Sequence, residues 1–418
     1  MQIQQLLNRV YRHKGFVYGK ATVYENARGQ ACLDVRVRPR KGSKATCSGC
    51  GERRPGYDRL DERRFHFIPV WGFLVFFVYT MRRVDCPQCG VRVERVPWAD
   101  GKARITKAYG WFLAGWAKRL SWAQTAEAFR TSYYHVFVSV QMAVQWGRAH
   151  ANYDGIEAIG VDEIQYRLGH RFLTLVYQID AGRRRLLWIG ENRSKETFES
   201  FFDWFGERRS RAIKYICSDM WQAYIEVAKV RIGQAIHILD RFHLVAHLNK
   251  ALDDVRREEA NRMRREGYEP ILSKSRWCLL KKPENLTAGQ SEKLKSLLGY
   301  NLKTARAYLL KEELTLLWNY VSPYWAGKFL DRWCTRAMRS RIEPVKRVAR
   351  TYRKHRPLIL NWFAAKKQFS SGVVEGLNNK AKLTTKRAYG FSSLETLEIA
   401  LYHTLGDLPE PELAHRFF

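Results

Sequence analysis

The sequence predicts a multidomain α+β protein, and three observations lead there. Two C-x-x-C-G units, "CSGCG" at 47–51 and "CPQCG" at 86–90, bracket an aromatic strand pair. From residue 156, apolar strand-like runs that end in acids alternate with amphipathic helical segments. After His243 the strands stop, and a basic helical stretch runs to about residue 365 before a lone carboxylate, Glu375, opens a lysine-rich segment.

The totals narrow the class. A chain of 418 residues has room for two to four domains with ample core. Lys+Arg number 73 against 41 Asp+Glu, a net charge of +32, which points to a polyanionic partner. The basic residues are spread along the chain rather than gathered in one tail or one amphipathic stretch, which favours nucleic acid over a membrane surface. "MQIQQLLNRVYRHKG" lacks the apolar segment of a secretory signal. The longest apolar run, "VWGFLVFFVY" at 70–79, is about half of a spanning helix and reads as a buried strand. A cytoplasmic, nucleoid-associated protein without membrane contact is expected.

The first forty residues read as a hairpin: "FVYGKATVYE" and "ACLDVRVRP" are joined by the turn "NARG". In the two C-x-x-C-G units, glycine tolerates the positive φ that lets backbone amides point at thiolates. Cys47, Cys50, Cys86 and Cys89 are therefore expected to hold one structural Zn²⁺ in a zinc ribbon, while Cys32, Cys217, Cys278 and Cys334 are scattered. Between 102 and 150 the periodicity is helical. Ser121 caps a short helix, "RTSYYHVF" makes a turn, and Ser132 caps a longer one, the outline of a helix-turn-helix.

In the core, "IEAIGVDEIQY" is a buried strand, and "FLTLVYQID" and "RRRLLWIG" are its hairpin partners. "SKETFESFFDWFGERR" is a helix capped by Ser194 with Phe198, Phe201, Phe202 and Phe205 on its apolar face. "AIKYICSDM" and "QAIHILDRFH" are further strands, separated by the helix "WQAYIEVAKV". Three antiparallel strands, a helix, then parallel strands with intervening helices is the order of an RNase H-like domain.

Phosphoryl transfer on nucleic acid needs hard divalent cations, and these need carboxylates brought together from several elements. Asp162 and Asp219 end strands that would be neighbours, and strand ends are where ligands bind in open α/β sheets. Asp180 reads as a hairpin turn, Asp154 as loop, and Glu163 would face away from Asp162. Trp221 reads as core more than as a base-stacking platform.

At this point the chain resembles the ISL-three (ISL3) family of bacterial insertion-sequence transposases, of the DDE class. The resemblance rests on "CSGCG…CPQCG", "IGVDEI", "CSDMWQAY", "LDRFHLV" and "VVEGLNNKAKLTTKRAYGF", and covers nearly the whole chain. It implies an RNase H-like α/β catalytic core interrupted by a helical insertion, with the triad Asp162, Asp219 and Glu375 holding Mg²⁺ (or Mn²⁺). It also implies N-terminal modules that recognise terminal inverted repeats. The expected division is a zinc ribbon at 1–98, a helix-turn-helix region at 99–152, core at 153–248, insertion at 249–365 and final core helix with the C-terminus at 366–418. Asn379, Lys380, Lys382, Lys386 and Arg387 are expected to meet DNA phosphates beside Glu375. Asp240 and His243, an acid-x-x-His pair, are expected beside the site as structural or positioning groups. The implied activity is strand cleavage and strand transfer on double-stranded DNA, by an assembly of at least two subunits. The rival expectations are an RNase H-like nuclease without strand transfer and a DNA-binding regulator.

Overall fold

The computed structural model describes residues 3–167, 169, 171–269, 271–369, 372–387, 391 and 393–412. The chain divides into two compact units, Met1–Asn152 with Thr384–Phe418, and Tyr153–Leu383.

The first unit opens with helix α1 (Ile3–Val10) and strands β1 (Phe16–Glu25), β2 (Ala31–Pro39), β3 (Ala45–Thr46), β4 (Arg53–Arg54), β5 (Gly56–Val70), β6 (Phe73–Cys86) and β7 (Gly90–Val93). Helix α1 has no counterpart among the sequence expectations; the β1–β2 hairpin does. The main sheet runs β1-β2-β6-β5, with β7 added to β6 and with β2 and β6 parallel. Its core gathers around Trp98, 2% exposed, which meets the rings of Phe16, Phe65, Phe77 and Tyr79 edge-on. Edge-to-face packing of this kind adds to the burial of each ring. Three helices follow: α2 (Lys107–Ala117), α3 (Trp122–Ala128) and α4 (Tyr133–His150). Ser121 forms a capping box with Gln124, and the Ser132 side chain accepts from the His135 N–H, so both helices start where the sequence places them.

The second unit carries β8 (Ala158–Arg167), β9 (Arg171–Asp180), β10 (Arg183–Glu191), α5 (Lys195–Phe205), α6 (Glu207–Ala212), β11 (Tyr215–Ser218), α7 (Gln222–Arg231) and β12 (Ile236–Leu239). These strands form one sheet in the order β10-β9-β8-β11-β12. The first three pair antiparallel, while β11 is parallel to both β8 and β12. Strand periodicity sorts the side chains of β8. Ile159 and Val161 join the cluster formed with Phe198, Phe201, Phe202 and Phe205 of α5 and Tyr224 and Val227 of α7. Burying four phenylalanines fixes α5 on this face, at about 1.5–3 kcal/mol for each ring.

A helical stretch follows: α8 (Arg241–Arg265), α9 (Arg276–Leu280), α10 (Ala288–Leu298), α11 (Lys303–Thr315), α12 (Pro323–Arg339), α13 (Glu343–Lys354) and α14 (Arg356–Ala364). Buried Glu259 of α8 accepts from the Lys303 and Thr304 amides at 3.0 and 2.8 Å, which satisfies the open N–H groups at the start of α11. Helix α14 returns to the sheet, where Asn361 donates to the His237 carbonyl of β12.

Helix α15 (Gly372–Arg387) then lies against β8 on the face opposite α5, and α16 (Leu394–Leu405) packs on α4 in the first unit. The approach of α15 is close because Gly160 has no side chain: a Cβ there would lie 2.4 Å from Val374 Cγ2. Gly160→Ala is expected to destabilise the fold by about 1–3 kcal/mol through overpacking, read by chemical denaturation. An unchanged denaturation midpoint would show that α15 is not seated on this glycine.

Candidate active site and metal centre

Pairing register builds the site. Cys217 of β11 stands opposite Gly160 of β8, so two steps further along each strand Asp219 and Asp162 come level. Ser218 stands opposite Leu239 of β12, so the next residues, Asp219 and Asp240, come level as well. Three aspartates thus form a row across three adjacent strands. The row lies at the carboxyl ends of the two short strands, the edge that carries ligands in open α/β sheets.

Each aspartate is anchored by one oxygen. Asp219 Oδ1 accepts the Trp221 N–H at 2.8 Å at the start of α7, and Asp240 Oδ1 accepts the Phe242 N–H at 2.6 Å at the start of α8. Asp162 Oδ1 accepts the Glu163 N–H at 2.8 Å. Their second oxygens face other side chains. Asn378 of α15 donates from Nδ2 to Asp162 Oδ2 at 2.5 Å, and the Tyr177 hydroxyl donates to Asn378 Oδ1 at 2.6 Å. Asp240 Oδ2 lies 3.6 Å from His243 Nε2, a local i,i+3 contact. The acid-x-x-His pair is therefore a helix cap with a histidine over it.

Burial first, then the charges of Asp219 and Asp240, push the Asp162 pKa up to about 6, against the Glu163 N–H and His243. Glu163 points to the other face, as strand alternation requires, and meets the Tyr224 hydroxyl at 3.3 Å. It still belongs to the cluster. Burial and the Asp219 carboxylate push its pKa up to about 7, while Arg193 opposes the rise. Arg193 is the cation held between these acids: Nη1 lies 2.9 Å from Glu163 and Nη2 3.4 Å from Asp219. Its guanidinium stacks 4.3 Å from the centre of the Trp221 ring. Trp221, expected in the core, is 39% exposed, because its indole serves as the platform for this arginine.

Glu375 lies in the first turn of α15 with an exposed side chain. The buried face of the helix is Val374, Leu377, Asn378 and Ala381. The residue that reaches Asp162 is thus Asn378, one turn beyond Glu375. Asn379, Lys380, Lys382 and Lys386 are exposed along the helix, and the Arg387 side chain lies outside the described residues. Neither the aspartate row by itself nor the row with Glu375 closes into a ligand cluster: among the described residues, only one group of three or more His, Cys, Asp or Glu has ligand atoms within 4.8 Å of one another, namely Cys47, Cys50, Cys86 and Cys89.

Those four sulfurs fit a tetrahedral zinc site. Gly51 and Gly90, which follow each pair, adopt positive φ of 79° and 70°. The Gly49 N–H points to Cys47 Sγ at 3.4 Å, and a Cβ at Gly49 would lie 2.8 Å from Cys89 Sγ. Each turn thus closes on the sulfurs through backbone alone, which is what a thiolate–zinc knuckle needs.

Arg193, Asn378 and the part played by Glu163 were missed in the sequence. Asn378 follows Glu375 by three residues but lies on the buried face with Val374, Leu377 and Ala381, so the charge of the glutamate gave no signal for it. Arg193 sits in the β10–α5 connection, where no periodicity reports its direction.

The chain has relatives among known proteins. The ISL3 DDE transposase model, described as "Transposase", matches residues 159–401, more than half of the chain. A Bordetella parapertussis protein, the transposase for insertion sequence element IS1001, is 30% identical over 352 residues, covering 84% of this chain and 86% of its own length. The transposase for insertion sequence element IS1557 of Mycobacterium tuberculosis (strain CDC 1551 / Oshkosh) is 33% identical over 399 residues, covering 89% and 88%. With a family match that spans the aspartate row and the helix that reaches it, the chain belongs to the ISL3 family of DDE transposases, enzymes that act on DNA.

Proposed function

We propose that this insertion-sequence transposase binds the terminal inverted repeats of its element, cuts at the ends and joins them to target DNA, using the carboxyl edge of an RNase H-like core. The observation that carries the reading is the row Asp162, Asp219, Asp240 with Asn378 tying the final helix to its first member. Asp162, Asp219 and Glu375 would hold Mg²⁺ or Mn²⁺. Bound there, the ions would activate the attacking oxygen and neutralise charge on the phosphate in transit.

The chain's own residues set the stage. Asn378 fixes Asp162 and leaves Glu375 exposed one turn away, so completing the triad would need Glu375 to move toward the row. Arg193 keeps Glu163 and Asp219 from repelling each other and offers a guanidinium at the edge the phosphate approaches. Lys380 and Lys382 present charge to the flanking backbone. Water attacks the phosphodiester at the element's end, and the freed hydroxyl then attacks target DNA, so no covalent enzyme–DNA bond forms. Residues 1–98 serve as a zinc-ribbon DNA-binding domain and 99–152 as a helix-turn-helix with exposed Tyr133 and Tyr134 at the start of its second helix. Residues 249–365 would be the insertion between the two parts of the core, 153–248 and 366–418, of which Thr384–Phe418 clusters with the first unit. Two ends must be held together, so the active form is at least a dimer, working in the bacterial cytoplasm on the nucleoid.

The test is a strand-transfer reaction with Mg²⁺, a labelled duplex bearing the element's own terminal repeat and a supercoiled target plasmid, run with wild type and Glu375→Gln. Joined product from wild type alone is the expected result. Cleavage without joining would identify a nuclease, and binding without cleavage in both a regulator.

A further inference from the structure

We propose that the N-terminal β unit grips a run of DNA phosphates in a cationic cleft, in addition to the lysines of α15; this rests on the reading of the chain as a protein that binds its element's ends. The cleft has a volume of about 560 Å³ and is lined by Arg12, Lys14, Arg40, Lys44, Arg53 and Arg95, with Arg82 behind them. Among the described residues, no carboxylate lines it. Arg82 is already committed to buried Glu94 at 2.7 Å, and Arg95 Nη2 reaches the Ser48 carbonyl at 3.4 Å. Arg12, Lys14, Arg40, Lys44 and Arg53 are exposed and form no ion pair among the described residues. Burial lowers the pKa of His13 to about 4, so it is neutral here and does not add to the count.

Five unpaired cations around one cavity repel one another and are held there by the fold. Arg40 N–H donates to the Gly15 carbonyl at 2.8 Å, joining the loop after α1 to the loop after β2. Arg95 N–H donates to the Thr46 carbonyl at 2.8 Å, and Thr46 pairs with Arg53 in the β3–β4 ladder. Thr46 and Arg53 flank the first zinc knuckle, and Arg95 follows the second. The cysteine cluster therefore pins one wall of the cleft. A single phosphate is matched by one forked side chain or two; cations spread over three pinned loops match successive phosphates of a backbone. Such contacts carry no base information, so this cleft positions the duplex and leaves sequence reading to other elements.

The experiment compares full-length wild type with the triple variant Arg12→Ala, Arg40→Ala, Lys44→Ala. Matched zinc content and thermal midpoints serve as the folding control. Affinity is measured from about 50 to about 200 mM salt on the element-end duplex and on an unrelated duplex of equal length. The variant should bind both duplexes on the order of 100-fold more weakly at low salt, with a salt slope shallower by about 0.9 for each phosphate no longer neutralised. An unchanged slope on both duplexes overturns the cleft. So does a loss confined to the element end, which would mean base reading, or displacement of both duplexes by inorganic phosphate at constant ionic strength, which would mean a small-anion site. A wild type that shows no preference for the element end would count against end binding instead. The slope on the unrelated duplex would still judge the cleft.

Discussion

Asp219→Asn should abolish end cleavage and joining, a loss of at least about 10³-fold, while leaving the fold and duplex affinity in place. The variant is chosen for what it keeps. The substituted side chain would retain the Oδ1 that accepts the Trp221 N–H at 2.8 Å, so the start of α7 is undisturbed. It removes the negative charge that acts on both Asp162 and Glu163. A second readout follows from that charge and does not depend on turnover. In the metal-free protein Asp162 is raised from 3.8 to about 6. A carboxyl with a raised folded-state pKa gives its full stabilisation below the ordinary value and loses it as pH rises through the folded one. The metal-free wild type should therefore lose stability between about pH 4 and about pH 6 from this group. Glu163, raised to about 7, extends the loss upward. Mg²⁺ or Mn²⁺ competes with these protons, so its stabilising effect on the thermal midpoint should be larger at about pH 8 than at about pH 5.5. In Asp219→Asn both the pH dependence and the metal increment should shrink together. Full metal stabilisation in the variant would mean that the ions sit elsewhere.

Much of this site was legible because it obeys periodicities. The apolar runs before Asp162, Asp219 and Asp240 announce strands; Asp219 and Asp240 do follow the ends of β11 and β12, whereas β8 runs on past Asp162 to Arg167 because it keeps pairing with β9, and its alternation sends Glu163 to the other face from Asp162. The serine caps at Ser121, Ser132 and Ser194 mark helix starts because side-chain acceptors at those positions have one local use. What periodicity does not carry is where a long side chain from a connecting segment ends up. Arg193 follows β10 and reaches Glu163 and Asp219 across the sheet, so its partners are 30 residues before it and 26 after it. Burial was misjudged for the same reason. Trp221 has the composition of a core residue, but the guanidinium of Arg193 occupies its face and keeps the pair at the surface. On α15 the glutamate was visible from its charge, whereas the buried amide one turn on, Asn378, was visible only once a strand acid faced it.

If Cys47, Cys50, Cys86 and Cys89 hold Zn²⁺, removing it by chelation or by Cys86→Ser should melt the knuckle region while the rest of the β sheet survives. The reason is the size of the local core. Around the cysteines the buried apolar side chains are only Ala45 and Val84, beside Cys47 and Cys86 themselves with Cys89 packed against them. Such a core is too small to hold two turns together without a metal. Two of the sulfurs are also poised as ligands, Cys47 and Cys86, which are held below the ordinary thiol value, while burial and its cysteine neighbours push Cys89 up to about 11. Burial works to raise the Cys86 thiol, but the N–H groups of Gln88 and Cys89 and the neighbouring Cys50 and Cys47 outweigh it, and its pKa falls to about 6. Thiolates within 4.8 Å of each other repel once the cation is gone, so chelation adds an opposing force as well as removing bonds. The sheet around Trp98 has its own aromatic core and needs no metal. Hydrogen exchange should therefore show protection falling by on the order of 100-fold or more across residues 45–54 and 84–95, with little change in Phe65, Phe77 and Tyr79. Because Thr46, Arg53 and Arg95 belong to that region, duplex binding should weaken in parallel, and zinc should restore both. Unchanged exchange after complete metal removal would show that the knuckles stand on their own packing; collapse of the whole sheet would show that the zinc holds more than its two turns.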